Sequence, residues 1–466
     1  MRHPAHIQLT NDSAPDGIYI RETIGGVPTE KPSASRKAAR KKSESVVTTL
    51  KSDPYIWGIY LMLLLISIIE LYSASASEVV STNVYAPLIR HGMFLGIGFA
   101  LLYLVQRAHY AYIRRFAVLI GILSWIALAY STFMGVEING AQRAFMIGPF
   151  TVQPPEIVKL TVIIWLATIL AKSQKSHDVS TYGIVYSAII VAAFGGLLAL
   201  NGLTNTLLVM VVSVSMFMIC GIPFRKILIV GGVYTALFGI FYIGTKVMHS
   251  SSEFDKVGQT EEVVAAAGGD HALGSTTHKN RVLRFLDGVH PEDKLTDENR
   301  QVVMAKLAQA RGGVFGKGLG NSRESVRLPL AFSDYIYSIV IEESGLVGGI
   351  FLMLLYLLLL ARAGYVAYHL NRAFPAFLIL GCAILIVFQA LVHMAIVTGL
   401  FPVSGQPLPL ISPGGTSIIV MSVAIGIMLS VSRHATRQNE EKSVRHNDEN
   451  RHLGEDMNAI NASAEA

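Results

Sequence analysis

The sequence predicts an all-α polytopic membrane protein with ten transmembrane helices. Its 466 residues are 52% hydrophobic and only 15% charged, whereas charged residues make up about a quarter of an ordinary soluble protein. The mean hydropathy is +0.48. The apolar residues form ten long runs, and Lys and Arg lie mostly at the ends of these runs. This distribution is typical of a membrane protein and indicates no nucleic-acid partner, which would require a basic patch.

Each run is predicted to form one helix, because about 20 mostly apolar residues span a bilayer. The runs cover residues 56–72, 93–105, 116–134, 157–171, 184–200, 206–222, 227–247, 335–361, 374–400 and 416–431. The first fifty residues contain no apolar segment of the kind found in a cleavable signal, so the first run is predicted to be retained. Cys220 and Cys382 both lie in apolar runs, which argues against a disulfide framework.

The basic residues predict the orientation of the helices. Lys and Arg are concentrated in the N-terminal tail, in every second connection and in the C-terminal tail, whereas 201–205 and 401–415 carry no charge. Because basic connections stay on the cytoplasmic side, both termini are predicted to be cytoplasmic. The predicted organisation is a disordered basic tail (1–52), a membrane domain (53–433) with a large extracytoplasmic loop (248–334), and a polar cytoplasmic tail (434–466).

The fourth run begins with QPPEIVKL, which places two charged residues where a membrane helix starts. Pro154 and Pro155 suit the first turn of a helix. Glu156 and Lys159 lie three residues apart, so they share a helix face and can pair. One interpretation is a structural ion pair at the outer interface with snorkelling side chains. The other is a polar cluster that, with Arg143, binds an anionic headgroup.

The large outer loop contains the acidic stretch FLDGVHPEDKLTDENRQ. A dense run of carboxylates can simply be a solvated loop. Alternatively, one of Asp287, Asp293 and Asp297 is a general base or metal ligand held above the membrane. Further on, RQVVMAKLAQARGG places Val303, Leu307 and Ala310 on one helix face, which is predicted to lie along the membrane surface.

Two later stretches combine glycine or proline with polar residues. The glycines of RGGVFGKGLGNS do not have the spacing of a nucleotide-binding loop and are predicted to allow tight turns and close backbone approach. In LPLAFSDYIYSIVIEESG, Asp334 stands at the start of a helix, and Glu342 and Glu343 fall within an apolar run. Carboxylates at that depth mark either a functional site or pairing between helices.

The uncharged segment PVSGQPLPLISPGGTS contains four prolines. It is predicted to form a re-entrant turn buried against protein, with Thr416 or Ser417 capping the next helix. Gln389 and His393 lie four residues apart on one face of the preceding helix, where a lone His is more often a hydrogen-bonded core residue than a ligand.

Taken in order, six motifs resemble the SEDS family (shape, elongation, division and sporulation) of bacterial cell-wall polymerases, over roughly residues 56–433. They are ELYSASA, GAQRAFMIGPFTVQPPEIVKL, RVLRFLDGVHPED, ARGGVFGKGLGNS, LPLAFSDYIYSIVIEESGLVGG and PVSGQPLPLISPGGTS. The Gly-Asn-Ser of the fourth motif is more similar to the family's division branch than to its elongation branch. The elongation branch is the alternative subfamily.

The resemblance implies a peptidoglycan glycosyltransferase that polymerises lipid II into a nascent glycan strand at the outer face of the cytoplasmic membrane, at the division septum. Its expected partners are a class B penicillin-binding protein, which acts as transpeptidase, and other cell-division proteins. Two other interpretations are a lipid II flippase, which would not need a loop carboxylate, and a non-catalytic division scaffold.

The resemblance also implies which residues form the site. Asp293 matches the family's essential Asp, with Asp297 and Asp287 as alternative registers. It would accept the proton of the acceptor 4-hydroxyl, while Arg143 and Lys159 offset charge on the departing diphosphate. The predicted substrate-binding residues are Arg143, Gln153, Glu156, Lys159, Asp334, Glu342 and Ser412. No motif demands a cofactor; a divalent cation, Mg²⁺ or Mn²⁺, is the one that this chemistry could use.

Overall fold

Long apolar helices make up most of the described structure. The computed structural model describes residues 52–76, 85–138, 141–148, 150–174, 179–234, 300–324 and 334–435. The described residues all belong to one unit, Leu50–Ala466. Asp287, Asp293 and Asp297 lie outside the described residues. So do residues 1–51 and 436–466, which make up most of the two predicted tails.

Eleven described helices follow the order of the predicted runs, with one addition. They are α1 (Pro54–Ala76), α2 (Tyr85–Arg107), α3 (Tyr110–Met134), α4 (Pro154–Ser173), α5 (Thr181–Asn201), α6 (Leu203–Ile219), α7 (224–234), α8 (Arg300–Gly312), α9 (Ile336–Tyr368), α10 (Ala373–Val397) and α11 (Gly415–Ala435). The addition is α8, which belongs to the large loop.

The prediction of a polytopic helical membrane protein is confirmed. Eight described helices are long and apolar enough to cross a membrane, namely α1 to α5 and α9 to α11. The sixth predicted run forms a shorter apolar helix of 17 residues, α6. The seventh begins as α7, which is described only as far as residue 234. The total of ten spans and the cytoplasmic termini therefore stay predictions.

Three helices form the centre of the bundle. In the apolar windows of α4, α10 and α11, 72%, 72% and 83% of the residues are buried, compared with 28–39% in the other five spans. A surrounding bilayer explains this contrast, because lipid tails solvate exposed apolar side chains as well as a protein core does. The residues that α4, α10 and α11 direct at one another are therefore the ones best shielded from both water and lipid.

Asp53 shows how one helix start is specified. Its Oδ1 accepts hydrogen bonds from the backbone N–H groups of Tyr55 at 2.9 Å and Ile56 at 3.3 Å, and Pro54 occupies the first turn of α1. These are typical features of a helix N-terminus. Its Oδ2 accepts from Arg362 of α9 at 2.8 Å. One carboxylate thus caps α1 and fastens it to the far end of α9.

A small antiparallel sheet connects α3 and α4, and the sequence did not predict it. Its strands are β1 (Val136–Ile138), β2 (Ala141–Ile147) and β3 (Phe150–Val152), in the order β1-β2-β3. Val136 pairs with Ala144 and Ile147 with Phe150, and the register shifts between Val136 and Glu137. Two of the strands are only three residues long, which is too short for an alternating pattern to stand out.

The start of α11 is tied to this sheet. The Thr416 hydroxyl donates to the carbonyl of Thr151 at 3.0 Å and accepts from the backbone N–H of Gln153 at 3.1 Å. The prediction that Thr416 or Ser417 caps α11 is therefore wrong. The Ser417 hydroxyl has no hydrogen-bond partner among the described residues, and the Thr416 hydroxyl is used by β3 and the start of α4. This contact brings the start of the fourth predicted span against the start of the tenth.

Candidate functional site

The charged pair at the start of α4 lies in the protein interior. Lys159 Nζ donates to Glu156 Oε1 at 2.6 Å and to Gln389 Oε1 of α10 at 2.7 Å. Lys159 is 1% exposed and Glu156 2%. The predicted ion pair is confirmed, but the prediction that both side chains snorkel towards the interface is wrong. The ammonium finds two acceptors inside the protein, so it does not extend towards water.

A buried ion pair is costly unless its remaining polar atoms are also bonded. Lys159 has two acceptors, and the Gln389 Nε2 group donates to the carbonyl of Pro407 at 3.2 Å. Glu156 Oε2 has no hydrogen-bond partner in the described part of the chain. Burial excludes direct contact between Lys159 and a large ligand in this conformation. Its described contacts are with Glu156 and Gln389, and its predicted contact with substrate stays a prediction.

Residues 402–414 form the predicted buried segment on the other side of Gln389. Leu408, Leu410 and Ser412 are at most 1% exposed, so the expectation that this segment is buried against protein is confirmed. Its carbonyl oxygens accept hydrogen bonds from His393, Tyr356 and Ser67, which donate to Gln406 at 2.6 Å, Pro409 at 2.6 Å and Ile411 at 3.1 Å, respectively. Side chains from α1, α9 and α10 therefore hold this irregular backbone in place.

The same segment contains a strained residue and a tight turn. Leu410 has a φ of 65°, the one positive value outside glycine among the described residues. Such a conformation costs of order 1–3 kcal/mol and persists only where the surroundings impose it. The hydroxyl of Ser412 accepts from the backbone N–H of Leu408 at 2.9 Å. Ser412, predicted to bind substrate, thus helps to shape this turn.

Two buried acceptors lie beside the segment without a donor. Because His393 Nδ1 donates to the Gln406 carbonyl, its Nε2 is an acceptor, and in the described residues this atom has no hydrogen-bond partner. Gln406 Nε2 donates to Asn205 of α6 at 2.9 Å, and its Oε1 is likewise without a partner there. His393 is thus a hydrogen-bonded core residue, as expected, and its Nε2 acceptor has no hydrogen-bond partner among the described residues.

The helix α9 is interrupted at Gly345, and a glycine-rich turn after α8 forms backbone hydrogen bonds with it on both sides of this break. Gly345 has φ 74° and ψ −175° inside this helix. The backbone N–H groups of Lys317 and Gly318 donate to the carbonyls of Glu342 and Glu343 before the break, at 3.0 and 2.9 Å. After the break, Leu346 and Val347 donate to the carbonyls of residues 313 and 314. The predicted use of these glycines for close backbone approach is confirmed.

Gly316→Ala is expected to destabilise the protein clearly more than Gly320→Ala. Both glycines have a φ of 79°, so both variants share a conformational cost of about 1 kcal/mol. A Cβ at Gly316 would lie 2.1 Å from the carbonyl oxygen of Glu343, whereas at Gly320 it meets nothing within 4 Å. Overpacking of this kind costs about 1–3 kcal/mol.

This difference is measurable with a thiol-reactive fluorescent dye. Cys220 and Cys382 are buried and free, so the dye reports their exposure on heating. The unfolding midpoint of Gly316→Ala should fall well below that of Gly320→Ala. Equal midpoints would show that the turn yields without cost and would contradict the close fit described here.

The carboxylates of Glu342 and Glu343, which precede the break, accept hydrogen bonds from other segments of the protein. Glu342 accepts from the hydroxyl of Ser322 at 2.5 Å and from the backbone N–H groups of Arg323 at 3.2 Å and Glu324 at 3.4 Å. Glu343 accepts from the hydroxyl of Ser73 on α1. Of the two interpretations left open for these residues, the described contacts support pairing between segments.

The length of α9 places these carboxylates near one surface of the membrane. Residues 346–368, after the break, measure about 35 Å at 1.5 Å per residue, which already spans a hydrocarbon core of about 30 Å. In the predicted orientation, Glu342 and Glu343 therefore lie at the outer interface and not deep in the span.

The structure sorts the predicted site residues into two groups. Gln153, Glu156, Lys159 and Ser412 surround the contact between α4, α10 and residues 402–414. Asp334 and Glu342 belong to the second group, around the start of α9; Asp334 is partly exposed and lies two residues before the helix. Arg143 lies on β2, which is connected through β3 to the start of α4.

Sequence reasoning did not assign Gln389 to the site. Its spacing of four residues from His393 was the available signal, since both side chains face the 402–414 segment and bond to it. For the predicted divalent cation, no group of three or more His, Cys, Asp or Glu side chains within the described ranges is arranged to hold a metal ion. The described residues thus do not fit a metal centre, and the acidic stretch 287–298 lies outside them.

Comparisons with known proteins identify one family over most of the chain. Residues 54–437 match the model of the FtsW, RodA and SpoVE family, described as "Cell cycle protein". A "Probable peptidoglycan glycosyltransferase FtsW" of Geobacter sulfurreducens is 31% identical over 366 residues, covering 77% of this chain and 89% of the relative. "Stage V sporulation protein E" of Bacillus subtilis is 28% identical over 402 residues, covering 84% of this chain and 100% of the relative.

Solved structures with the same fold are also found. One comes from a study described as "Structural coordination of polymerization and crosslinking by a peptidoglycan synthase complex"; the match has 25% identity and a TM-score of 0.60 and covers 83% of this chain and 99% of that chain. The rod shape determining protein RodA of Thermus thermophilus matches with 24% identity and a TM-score of 0.56, covering 82% of this chain and 97% of that one. The RodA match supports the fold alone.

Proposed function

Because the chain belongs to the FtsW, RodA and SpoVE family of cell cycle proteins, we propose that it is a peptidoglycan glycosyltransferase that polymerises lipid II at the outer face of the cytoplasmic membrane. The observation that carries the proposal is the match along almost the entire membrane domain to relatives that are named peptidoglycan glycosyltransferases. Such an enzyme joins two lipid-linked sugars, a reaction that is favoured when fixed groups position both reactants.

The described geometry provides a platform of this kind. Lys159 and Gln389 link α4 to α10, and Gln389 and His393 hold residues 402–414 at the ends of these helices. Preorganised groups of this kind lower the cost of bringing two reactants together. In the predicted orientation, this fixed segment lies on the outer side of the membrane.

The reaction that we propose for this site is a displacement at the anomeric carbon. The 4-hydroxyl oxygen of the acceptor forms a bond to the anomeric carbon of the growing chain, and the bond from that carbon to the diphosphate breaks. Asp293 accepts the hydroxyl proton. Arg143 offsets charge on the departing diphosphate, whereas Lys159, being buried, acts as a positioning residue through Gln389. A divalent cation is not needed for this account.

The partner that we propose is a class B penicillin-binding protein, which would crosslink the strands that this chain polymerises. The support is the structural match to a chain from a complex that coordinates polymerization and crosslinking. We assign the chain to the division branch, with other cell-division proteins at the septum, on the Gly-Asn-Ser of residues 320–322. Assembly of this chain with an elongation-type partner alone would contradict that assignment.

The proposal is tested by reconstituting the purified chain in vesicles with its class B partner, whose transpeptidase has been disabled. Fluorescent lipid II is added, and products are separated on a gel. We expect a ladder of glycan polymers. Transfer of labelled lipid II across the vesicle membrane without any polymer would overturn the proposal in favour of a flippase. A partner complex that forms normally but yields neither product would favour the scaffold.

A further inference from the structure

A carboxyl group near the end of α1 is buried and does not belong to the candidate site. Glu70 is 3% exposed, and its Oε2 atom has no hydrogen-bond partner among the described residues. Glu343 of α9 is 1% exposed, and its Oε2 atom is likewise without a partner there. Burial removes the water that solvates a charge, so an ionised carboxylate in such a place is costly unless a donor, a cation or a proton compensates it.

The two carboxyl groups lie close together where α1 packs against α9. Glu70 and Ser73 are three residues apart and share a face of α1, and the Ser73 hydroxyl donates to Glu343 Oε1. Glu70 and Glu343 are near enough for their negative charges to repel each other. Two carboxylates that share a buried site do not both ionise readily, because a proton held by one of them removes this repulsion.

Within the described residues, no ion pair links a cation to either carboxyl group. On the side of α2, His91 Nε2 lies 2.8 Å from the hydroxyl of Ser67, which itself donates to the carbonyl of Ile411 at 3.1 Å. The Ser67 oxygen therefore accepts from His91 Nε2. His91 Nδ1 is buried and has no partner in the described ranges, so this arrangement is that of a neutral imidazole.

The other segments around the pair bring no buried cation. Glu342 precedes Glu343 and adds a further negative charge, and residues 401–415 carry no charge. In the turn after α8, Glu324 pairs with Arg311. The basic side chains of that turn and of the start of α2 are exposed, namely those of Lys317, Arg323 and Arg90. A proton is therefore the compensation that these surroundings leave for one of the two carboxyl groups.

The donors around the pair are distributed unequally. Glu343 receives the hydroxyl of Ser73, and the backbone N–H groups of Gly320 and Ser322 lie close enough to favour its charge. No hydrogen-bond donor to Glu70 is found among the described residues. Because hydrogen bonds to a carboxylate favour its ionised form, this asymmetry assigns the negative charge to Glu343 and the proton to Glu70.

We propose that Glu70 holds a proton that it shares with the ionised carboxylate of Glu343, so that the contact between α1 and α9 depends on pH. Loss of the proton leaves two buried negative charges beside each other, and the contact then weakens. In the predicted orientation the pair lies towards the outer side of the membrane, so it would respond to the pH outside the cytoplasm. The inference does not depend on the proposed function.

The stability that this pair contributes is expected to fall as the pH rises. In the unfolded chain both carboxyl groups are ionised above about pH 5. The folded protein then binds one proton more than the unfolded chain, so stability is lost over the range in which that proton leaves. In Glu70→Gln, an amide replaces the protonated carboxyl as donor and takes up no proton. The variant should therefore lack this part of the pH dependence.

The first measurement is the unfolding midpoint of the full chain in lipid nanodiscs, followed by the fluorescence of its three tryptophans from about pH 5.5 to about pH 9. We expect the midpoint of the wild type to fall by several degrees relative to that of Glu70→Gln as the pH rises. Ser73→Ala is the matched control, because it removes a donor from the same contact but no titratable group. Its midpoint should be lower at every pH and keep the wild-type fall.

The second measurement is the infrared spectrum at neutral pH, in which a protonated carboxylic acid has a carbonyl band separate from that of a carboxylate. The band should be present in the wild type and lost from Glu70→Gln. Should Glu70→Gln fail to fold, Glu343→Gln tests the same pair. Without the repulsion from Glu343, Glu70 should release its proton, and the band should disappear, at a lower pH than in the wild type.

Three results would overturn the inference. Midpoints of the wild type and Glu70→Gln that change in parallel with pH would mean that Glu70 binds no proton in this range. A wild-type spectrum without the carboxylic acid band would mean that both groups are ionised, and stabilisation by added Na⁺ or Ca²⁺ in the wild type but not in Glu70→Gln would then assign a cation to the pair. A band that disappears at the same pH in Glu343→Gln and in the wild type would separate Glu70 from Glu343.

Discussion

Lys159→Met is expected to lower the free energy of unfolding by about 3–5 kcal/mol, the usual cost of removing one partner of a buried ion pair. The variant leaves Glu156 buried at 2% exposure without its cation. It also removes the donor to Gln389, so α4 and α10 lose their polar link. We expect the rate of polymerisation to fall as well, because Gln389 then no longer has a fixed orientation towards residues 402–414.

Unfolding midpoints from the thiol-dye assay measure this effect. Lys172→Met is the matched control, since Lys172 lies in the last turn of the same helix and is exposed; we expect its midpoint to stay close to wild type. The double variant Lys159→Met, Glu156→Gln removes both charges and should recover much of the lost stability. A single variant as stable as the double one would show that the ion pair contributes nothing.

Asp293→Asn is expected to abolish polymer formation, with a loss of at least about 10²-fold, because general-base catalysis typically contributes 10²–10⁴-fold. The amide keeps the size of the side chain but cannot accept the proton from the acceptor hydroxyl. The measurement is the rate of polymer formation from labelled lipid II, in vesicles that contain the class B partner.

Asp287→Asn and Asp297→Asn are the controls, since they remove the same charge from the same loop. We expect both to retain polymerisation and all three variants to keep the wild-type unfolding midpoint. Loss of activity in Asp297→Asn or Asp287→Asn alone would move the base to that residue. Activity in all three would exclude these three aspartates as the base.

The helix α8 packs against α9 through small residues, which a hydrophobic pattern does not reveal. The face of α8 that was predicted to lie along the membrane surface contains Val303, Leu307 and Ala310. The residues of α8 that the protein buries are Ala305, Ala308 and Gly312. A Cβ at Gly312 would lie 2.1 Å from the carbonyl oxygen of Ile341. Small residues allow this close approach. The hydrophobic pattern did not indicate this second, small-residue face, and the contact of the first face with the membrane surface stays a prediction.

The described helices follow the predicted runs closely because length and hydropathy are local properties. A stretch such as that of α10, apolar over 25 residues, forms a helix in a bilayer whatever its neighbours are, since its backbone must satisfy its own hydrogen bonds. The same reasoning predicted a helix start at Pro154 and a buried turn over residues 402–414. The same reasoning did not predict β1 to β3, because each of these strands is stabilised by pairing with its neighbour and not by its own residue pattern.

The sequence by itself determined the membrane class, the positions of the helices and the family, since these follow from local hydropathy and from motifs read in order. Only the tertiary structure decided which polar groups meet. Lys159 bonds to Gln389 across 230 positions of the chain, and Glu342 serves as an acceptor for a turn that belongs to another segment. The choice of a partner so far away depends on how the helices pack, and no local pattern encodes it.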